Sequence, residues 1–179
     1  DFAAHQHMLD NLDVENIAVR KAEQLEDLNG LIIPGGESTT LIKLLHSFEM
    51  VDPIRKFYEK GNGVFGTCAG SILLAKNIEK SDQFRFGFID ITVMRNGYGR
   101  QVDSFEEDIH VKEFGAELIH AVFIRAPKIV RWSKNVVVLA EKDCSLLLAR
   151  EKNLVVSAFH PELTNDTRIH RYFVDMCVT

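Results

Sequence analysis

The sequence predicts an α/β fold: a three-layer sandwich in which a central, mostly parallel sheet is covered by helices on both faces. Three observations predict it. Short apolar runs of strand length alternate with amphipathic stretches of helical length. Glycine-rich turns follow two of the apolar runs directly, at 34–36 and 66–70, as they do where strands feed helices in parallel sheets. No repeat, low-complexity tract or Pro/Gly/Ser-rich linker divides the 179 residues, so 1–179 reads as a single domain.

Taken in order, the chain opens at Asp1 with a helical pattern over 1–12, where Phe2, Met8 and Leu9 share an inward stripe that Leu12 fits less well. A strand is expected over 16–20. An alternating α/β chain usually begins with a strand, which leaves two readings of this opening: a first strand that the chain lacks, or a peripheral first helix. Gly30-Leu31-Ile32-Ile33 is a buried strand ended by Pro34-Gly35-Gly36. Residues 37–48 carry Leu41, Leu44, Leu45 and Phe48 at helical spacing, and 53–60 form a second helix closed by Gly61. A strand over 63–66 runs into Cys68, and 71–76 are helical in pattern. The second half is richer in strands, at 88–94, 121–125, 136–140, 145–149 and 154–159. A last helix, 166–178, has Ile169, Phe173 and Met176 on one face.

Composition narrows the function classes. With 46% hydrophobic and 26% charged residues, a chain of this length buries an adequate core without disulfides or metals. The excess of 26 acidic over 21 basic residues, a net charge of −5, argues against nucleic acid or an anionic membrane as the main partner. No apolar run approaches the ~18 residues needed to cross a bilayer. Cys68, Cys144 and Cys177 are odd in number and far apart, with no CxxC pair. That usage points to free thiols in a reducing compartment, hence the cytoplasm.

The sharpest local signal is Gly66-Thr67-Cys68-Ala69-Gly70, a G-x-C-x-G between a strand and a helix. It is the thiol version of a nucleophile elbow, in which flanking glycines permit a tight turn and expose the side chain at the carboxyl edge of the sheet. A helix beginning there aims backbone N–H groups at the sulfur and stabilises negative charge on it. The alternative is a small buried cysteine in a tight turn. Cys144 and Cys177 lack such a setting and read as structural.

A thiol nucleophile needs a base, and the base needs an orienting partner. Phe159-His160-Pro161-Glu162 offers both at a strand end. His160 is the candidate imidazole, and Glu162, two residues on, points the same way if the chain stays extended. Alone, a histidine before a proline is usually a turn residue; beside Cys68 the joint reading is a Cys-His-Glu hydrolase. Pro34-Gly35-Gly36-Glu37-Ser38 is another strand-to-helix turn whose unpaired N–H groups suit a carboxylate or an oxyanion, unless Glu37 or Ser38 merely caps the helix. His5-x-His7 on a helix splays to different faces, so no metal site is expected. His170 is expected on the surface of the terminal helix.

PGGEST, GTCAG and FHPE, in this order, resemble the triad-type (class I) glutamine amidotransferases, whose fold is flavodoxin-like. The segment Arg95-Asn96-Gly97-Tyr98-Gly99-Arg100-Gln101-Val102-Asp103-Ser104-Phe105, with Ile124-Arg125-Ala126-Pro127, resembles more narrowly the glutaminase subunit of pyridoxal 5′-phosphate synthase. The resemblance covers nearly the whole chain. It implies that Cys68 is the nucleophile and that His160 and Glu162 complete the triad. It also implies that Gly36, Glu37, Ser38, Arg95, Ile124 and Arg125 bind L-glutamine, with backbone N–H groups of Gly36 and Ala69 forming the oxyanion hole. The substrate comes only from the resemblance.

The same resemblance implies hydrolysis of glutamine to glutamate and ammonia, without a cofactor. It further implies passage of the ammonia through a tunnel to a separate synthase subunit that builds the pyridoxal 5′-phosphate ring, and weak activity until that subunit docks. Family members usually carry a strand and an LQG-type segment ahead of the helix that here starts at Asp1. Three alternatives remain: a glutaminase subunit of another amidotransferase, against which RNGYGRQVDSF speaks, another Cys-elbow hydrolase of similar fold, and a catalytically silent partner of the synthase.

Overall fold

Residues 2–99 and 104–178 are described by a computed structural model. Helix α1 (Phe2–Asp10) buries His5 and Met8, and the same stripe continues to Leu12. The expected stripe of Phe2, Met8 and Leu9 is therefore displaced: Phe2 is 54% exposed, and the inward positions follow the i, i+3, i+7 spacing of a helix face. The strand expected at 16–20 does not form. Ile17 is exposed there, and the segment only connects α1 to a 3₁₀ turn at Ala22–Leu25, whose Leu25 enters the core.

From there the expected rhythm holds. Strand β1 (Gly30–Ile33) leads through α2 (Ser38–Ser47) and α3 (Val51–Glu59) to β2 (Gly63–Thr67), paired with β1 in parallel. Two helices supply the crossover that parallel neighbours require. Helix α4 (Ala69–Leu74) starts one residue past Cys68. It ends two residues short of the expected boundary, because Ala75 and Lys76 open a strand the sequence did not announce, β3 (Ala75–Ile78). Then follow β4 (Ile89–Met94), β5 (Ser104–Ile109), β6 (Ile119–Ile124), β7 (Lys128–Trp132), β8 (Val137–Lys142), β9 (Ser145–Glu151), β10 (Leu154–Ser157) and α5 (Arg168–Cys177).

The main sheet has eight strands in the order β1-β2-β10-β9-β7-β4-β3, with β8 paired to β9, while β5 and β6 form a separate antiparallel pair. The expected α/β sandwich is present, and its sheet is mixed. The β1-β2-β10 block and the β3-β4 pair are parallel, whereas β10-β9, β9-β7, β7-β4 and β9-β8 are antiparallel. The reason is connection length: Asp143-Cys144 joins β8 to β9, and Lys152-Asn153 joins β9 to β10. Two residues turn a chain back on itself but cannot cross a sheet.

Alternate residues of the central strands feed two cores. Val64, Leu154 and Val156 meet Ile54 and Phe57 of α3 and Leu73 and Leu74 of α4 on one face. On the other, Phe65 and Val155 meet Ile169 and Phe173 of α5 and Phe123 of β6. Each such side chain, fully buried, contributes about 1.5–3 kcal/mol. Met176 packs partly against the second core beside Ile169 and Phe173, as the sequence predicts. His170 does not stay on the helix surface: it is fully buried, facing α1. Cys177 is half-buried, and burial pushes its thiol up to about 11, consistent with a packing role. Cys144 is exposed in the β8–β9 turn at φ 56°, so it fills no core. Among the described residues no helix is long and apolar enough to cross a membrane.

Candidate active site

All five residues of β2 are buried, and the strand delivers the chain to Cys68 at φ 50°, ψ −106°. A non-glycine residue held there costs about 1–3 kcal/mol, so the surroundings must impose it. They do so through three contacts. Cys68 N–H donates to Ser157 O of β10 at 2.8 Å, and Ser71 Oγ donates to Cys68 O at 2.6 Å. Gly70 lies so close under β1 that a Cβ would collide with the carbonyl oxygen of Ile33. The G-x-C-x-G pattern is thus the packing condition of the elbow.

His160, the candidate base, follows β10, three residues past its end. His160 N–H donates to Val122 O at 2.8 Å, tying this segment to β6. Its Nδ1 stands 2.8 Å from Glu162 Oε1. The chain between them is not extended as expected; Pro161–Leu163 is a 3₁₀ turn, and that turn brings the carboxylate back under the ring. Both side chains are buried. Burial by itself would lower the His160 pKa, but hydrogen bonds to Cys68 and Glu162, with their charges, outweigh it and lift it to about 9. Burial likewise opposes charge on Glu162, and the His160 hydrogen bond together with the His5 and His160 charges holds it below the ordinary carboxylate value.

Gly35 shows how close thiol and imidazole lie. A Cβ there would stand 2.5 Å from His160 Cε1 and 3.3 Å from Cys68 Cβ, so one bare backbone position is flanked by both side chains. They open into a cavity of about 390 Å³, within the size range of small-molecule sites. Gly36, Glu37 and Ser38 enter it from the β1–α2 turn, and Ala69 from the start of α4. Arg95 lines it from the end of β4, and Ile124 and Arg125 from the end of β6, where Arg125 has φ 44°. Cys68 Sγ lies 3.8 Å from Ile124 O. Every residue singled out from the sequence reaches the cavity wall except Glu162, which stands behind His160.

Two chain segments of the wall are joined by a residue the sequence reading missed. Gln83 accepts from Arg95 Nη1 at 2.8 Å and donates to Ser38 Oγ at 3.4 Å. Arg95 Nη2 also lies 3.5 Å from Glu37 Oε1. Asn96, Tyr98 and Gly99 line the cavity as well, from a segment singled out only as a family marker; positions 100–103 of that marker lie outside the described residues. His5 and His7 splay as expected, His5 inward and His7 to solvent, and no group of described residues could hold a metal ion.

Fold and site geometry together define a class. A solved structure titled "Crystal structure of glutamine amidotransferase" superposes with a TM-score of 0.93 at 46% identity, covering 100% of this chain and 95% of that one. The structure of PurLQS from Thermotoga maritima shares the fold at a TM-score of 0.70 and 16% identity, covering 97% of this chain and 91% of that one. The molecule has the α/β fold of the triad-type glutamine amidotransferases. A model of the SNO glutamine amidotransferase family matches residues 1–179, and the chain belongs to that family. It is 54% identical over 174 residues to pyridoxal 5′-phosphate synthase subunit PdxT of Carboxydothermus hydrogenoformans, covering 97% of this chain and 91% of the relative. It is 51% identical over 176 residues to the subunit of the same name from Thermosipho africanus, covering 98% and 93%.

Proposed function

We propose that the chain is the glutaminase of a pyridoxal 5′-phosphate synthase, hydrolysing L-glutamine to L-glutamate and ammonia for a separate synthase subunit. The observation that carries this reading is the strained Cys68 elbow, set with the His160 imidazole around the bare backbone of Gly35, with Glu162 2.8 Å behind the ring, at the mouth of a cavity sized for an amino acid. Free thiols at Cys68, Cys144 and Cys177 fit a cytoplasmic protein.

Cys68 attacks as the thiolate, the proton of the pair being held on His160: sulfur bonds to the side-chain amide carbon, and the C=O electrons move onto oxygen. Backbone N–H groups of Gly36 and Ala69 receive that oxyanion; a donor of this kind contributes roughly 3–4 kcal/mol. His160, which keeps its proton at neutral pH, passes it to the nitrogen as the C–N bond breaks and ammonia leaves. The neutral ring then takes a proton from water, which attacks the thioester and releases glutamate. Arg95 and Glu37, 3.5 Å apart, provide paired charges for the α-carboxylate and α-amino group, with Ser38, Ile124 and Arg125 also in the cavity wall.

Ammonia release from glutamine, measured with and without purified synthase subunit, tests the reading. Release that rises when the synthase is added is the expected result. Absence of release in both conditions, or stimulation only by the synthase of another amidotransferase, would overturn it.

A further inference from the structure

Two buried histidines stand behind the triad, and the chemistry above uses neither. His5 of α1 is 3% exposed and His170 of α5 is 0% exposed. His5 Nδ1 lies 2.9 Å from His170 Nε2. On its other side, His5 Nε2 lies 3.2 Å from Thr67 Oγ1 and 3.5 Å from Glu162 Oε2. The carboxylate of Glu162 therefore faces two imidazoles, His160 at Oε1 and His5 at Oε2. Burial lowers the pKa of His5 to about 4 and that of His170 to about 3, so both rings are neutral near pH 7 and each carries one N–H.

One placement of those two protons leaves no buried ring N–H without an acceptor. If His5 carried its proton on Nδ1 and gave it to His170 Nε2, a lone pair at His5 Nε2 would face the carboxylate. The remaining proton would then sit on His170 Nδ1, which has no hydrogen-bond partner among the described residues. A buried N–H left unpaired is costly, and a Thr67 hydroxyl turned to donate to His5 Nε2 does not relieve it. With the protons on the two Nε2 atoms, His170 donates to His5 Nδ1, His5 donates to Thr67 Oγ1 at 3.2 Å, and the positive edge of that N–H stands 3.5 Å from Glu162 Oε2, a charge–dipole contact longer than a hydrogen bond. The orphan at His170 Nδ1 becomes a lone pair, the cheaper of the two.

We infer that His5 is a positioning residue for the triad: locked in its Nε2–H form by His170, it holds one oxygen of Glu162 so that the other stays on His160. The inference rests on the assignment of Cys68, His160 and Glu162 as the triad. It gives α1 and α5, which contribute nothing to the cavity wall, a part in setting the base. It also explains why both helices bury an imidazole where an apolar side chain would pack without desolvation.

The first test leaves the chain unsubstituted. Nitrogen-15 spectra of the histidine-labelled protein are expected to show His5 protonated at Nε2 and bare at Nδ1, without titrating between about pH 5.5 and 8. A proton at Nδ1, or a titration in that range, overturns the inference. The second test is kinetic, with the synthase subunit present. His5→Leu keeps apolar volume but loses the donor, and kcat is expected to fall roughly two- to tenfold, the size of one ordinary hydrogen bond, while KM changes little. His5→Gln, whose amide N–H reaches toward the position of Nε2, is expected to recover most of that loss. Equal losses in both variants, or none in either, overturn the inference while leaving the unsubstituted enzyme active. Failure of the triad assignment shows differently, as an unsubstituted chain that releases no ammonia.

Discussion

The two halves of the sheet both contribute to the buried core and do different work. Strands β1, β2 and β10 run parallel and end together beneath the cavity; β9, β7, β4 and the rest of the mixed half run largely antiparallel. Ten polar or charged described residues are buried, and of these only Thr92 and Ser145 lie in the antiparallel half. The others, among them Ser38, Thr67, His160 and Glu162, gather at or beside the carboxyl ends of the parallel strands. So does the strained Cys68. Buried polarity and strain both oppose folding, and they are concentrated where strands feed helices and a ligand has access. The antiparallel half supplies apolar core and, through Arg95 and Gln83, one wall of the cavity.

That contrast is open to attack by substitution. Cys68→Ala should give the largest effect, reducing ammonia release to background, a loss of at least about 10⁴-fold, with the thermal midpoint nearly unchanged. Retained release would move the nucleophile elsewhere. Gly70→Ala comes next: its Cβ meets the Ile33 carbonyl, and a backbone contact cannot yield as a side chain does, so a loss of at least about 3 kcal/mol in urea unfolding is expected, together with activity. Ile91→Ala, in the antiparallel half and 1% exposed, should cost about 2–5 kcal/mol of stability while kcat per folded molecule stays unchanged. A drop in kcat there would mean that the halves are catalytically coupled. Gly87→Ala, at φ 73° with open space around the added carbon, should cost only about 1 kcal/mol and no activity.

The pH dependence of stability probes the buried polarity of the parallel end. His5 and His170 are neutral in the folded state, with pKa about 4 and about 3, and return to an ordinary 6.5 when unfolded. The unfolded chain therefore binds more protons below pH 6.5, and stability falls with acid by about 1.4 kcal/mol per pH unit for each ring. His160 acts in the opposite sense: its raised pKa contributes stability that is complete below 6.5 and lost as pH climbs through about 9. Urea midpoints should peak near pH 6.5, and His170→Leu should remove about half of the acid slope. An unaltered slope in that variant would remove His170 from the buried pair.

The proposed Cys68-His160-Glu162 triad was legible in the sequence because its signals are local. G-x-C-x-G spans five positions and His160-Pro161-Glu162 three, so spacing alone put the chemistry at two strand ends. The detail that brings Glu162 under the ring was not: an extended chain and a 3₁₀ turn can both pair i with i+2, and only the tertiary setting selects between them. The β-strands 3, 5 and 7 were missed for a related reason. Ala-Lys-Asn-Ile and Ser-Phe-Glu-Glu-Asp-Ile lack an apolar run, and their pairing with β4 and β6 stabilises what propensity does not. The antiparallel turns could have been seen, since gaps of two to four residues between strand patterns exclude a crossover. His5 and His170 are 165 positions apart, and no window along the chain joins them. Their burial was discernible only for His5, as the first member of the stripe with Met8 and Leu12.

The most direct measurement is covalent trapping with a glutamine-mimicking electrophile, read by mass spectrometry on the intact chain and its peptides with the synthase subunit present. One adduct is predicted, on the buried Cys68, prevented by excess glutamine and slowed by His160→Asn. Modification of the exposed Cys144 in its place, or labelling of Cys68 that glutamine fails to block, would contradict the assignment of this elbow to glutamine hydrolysis.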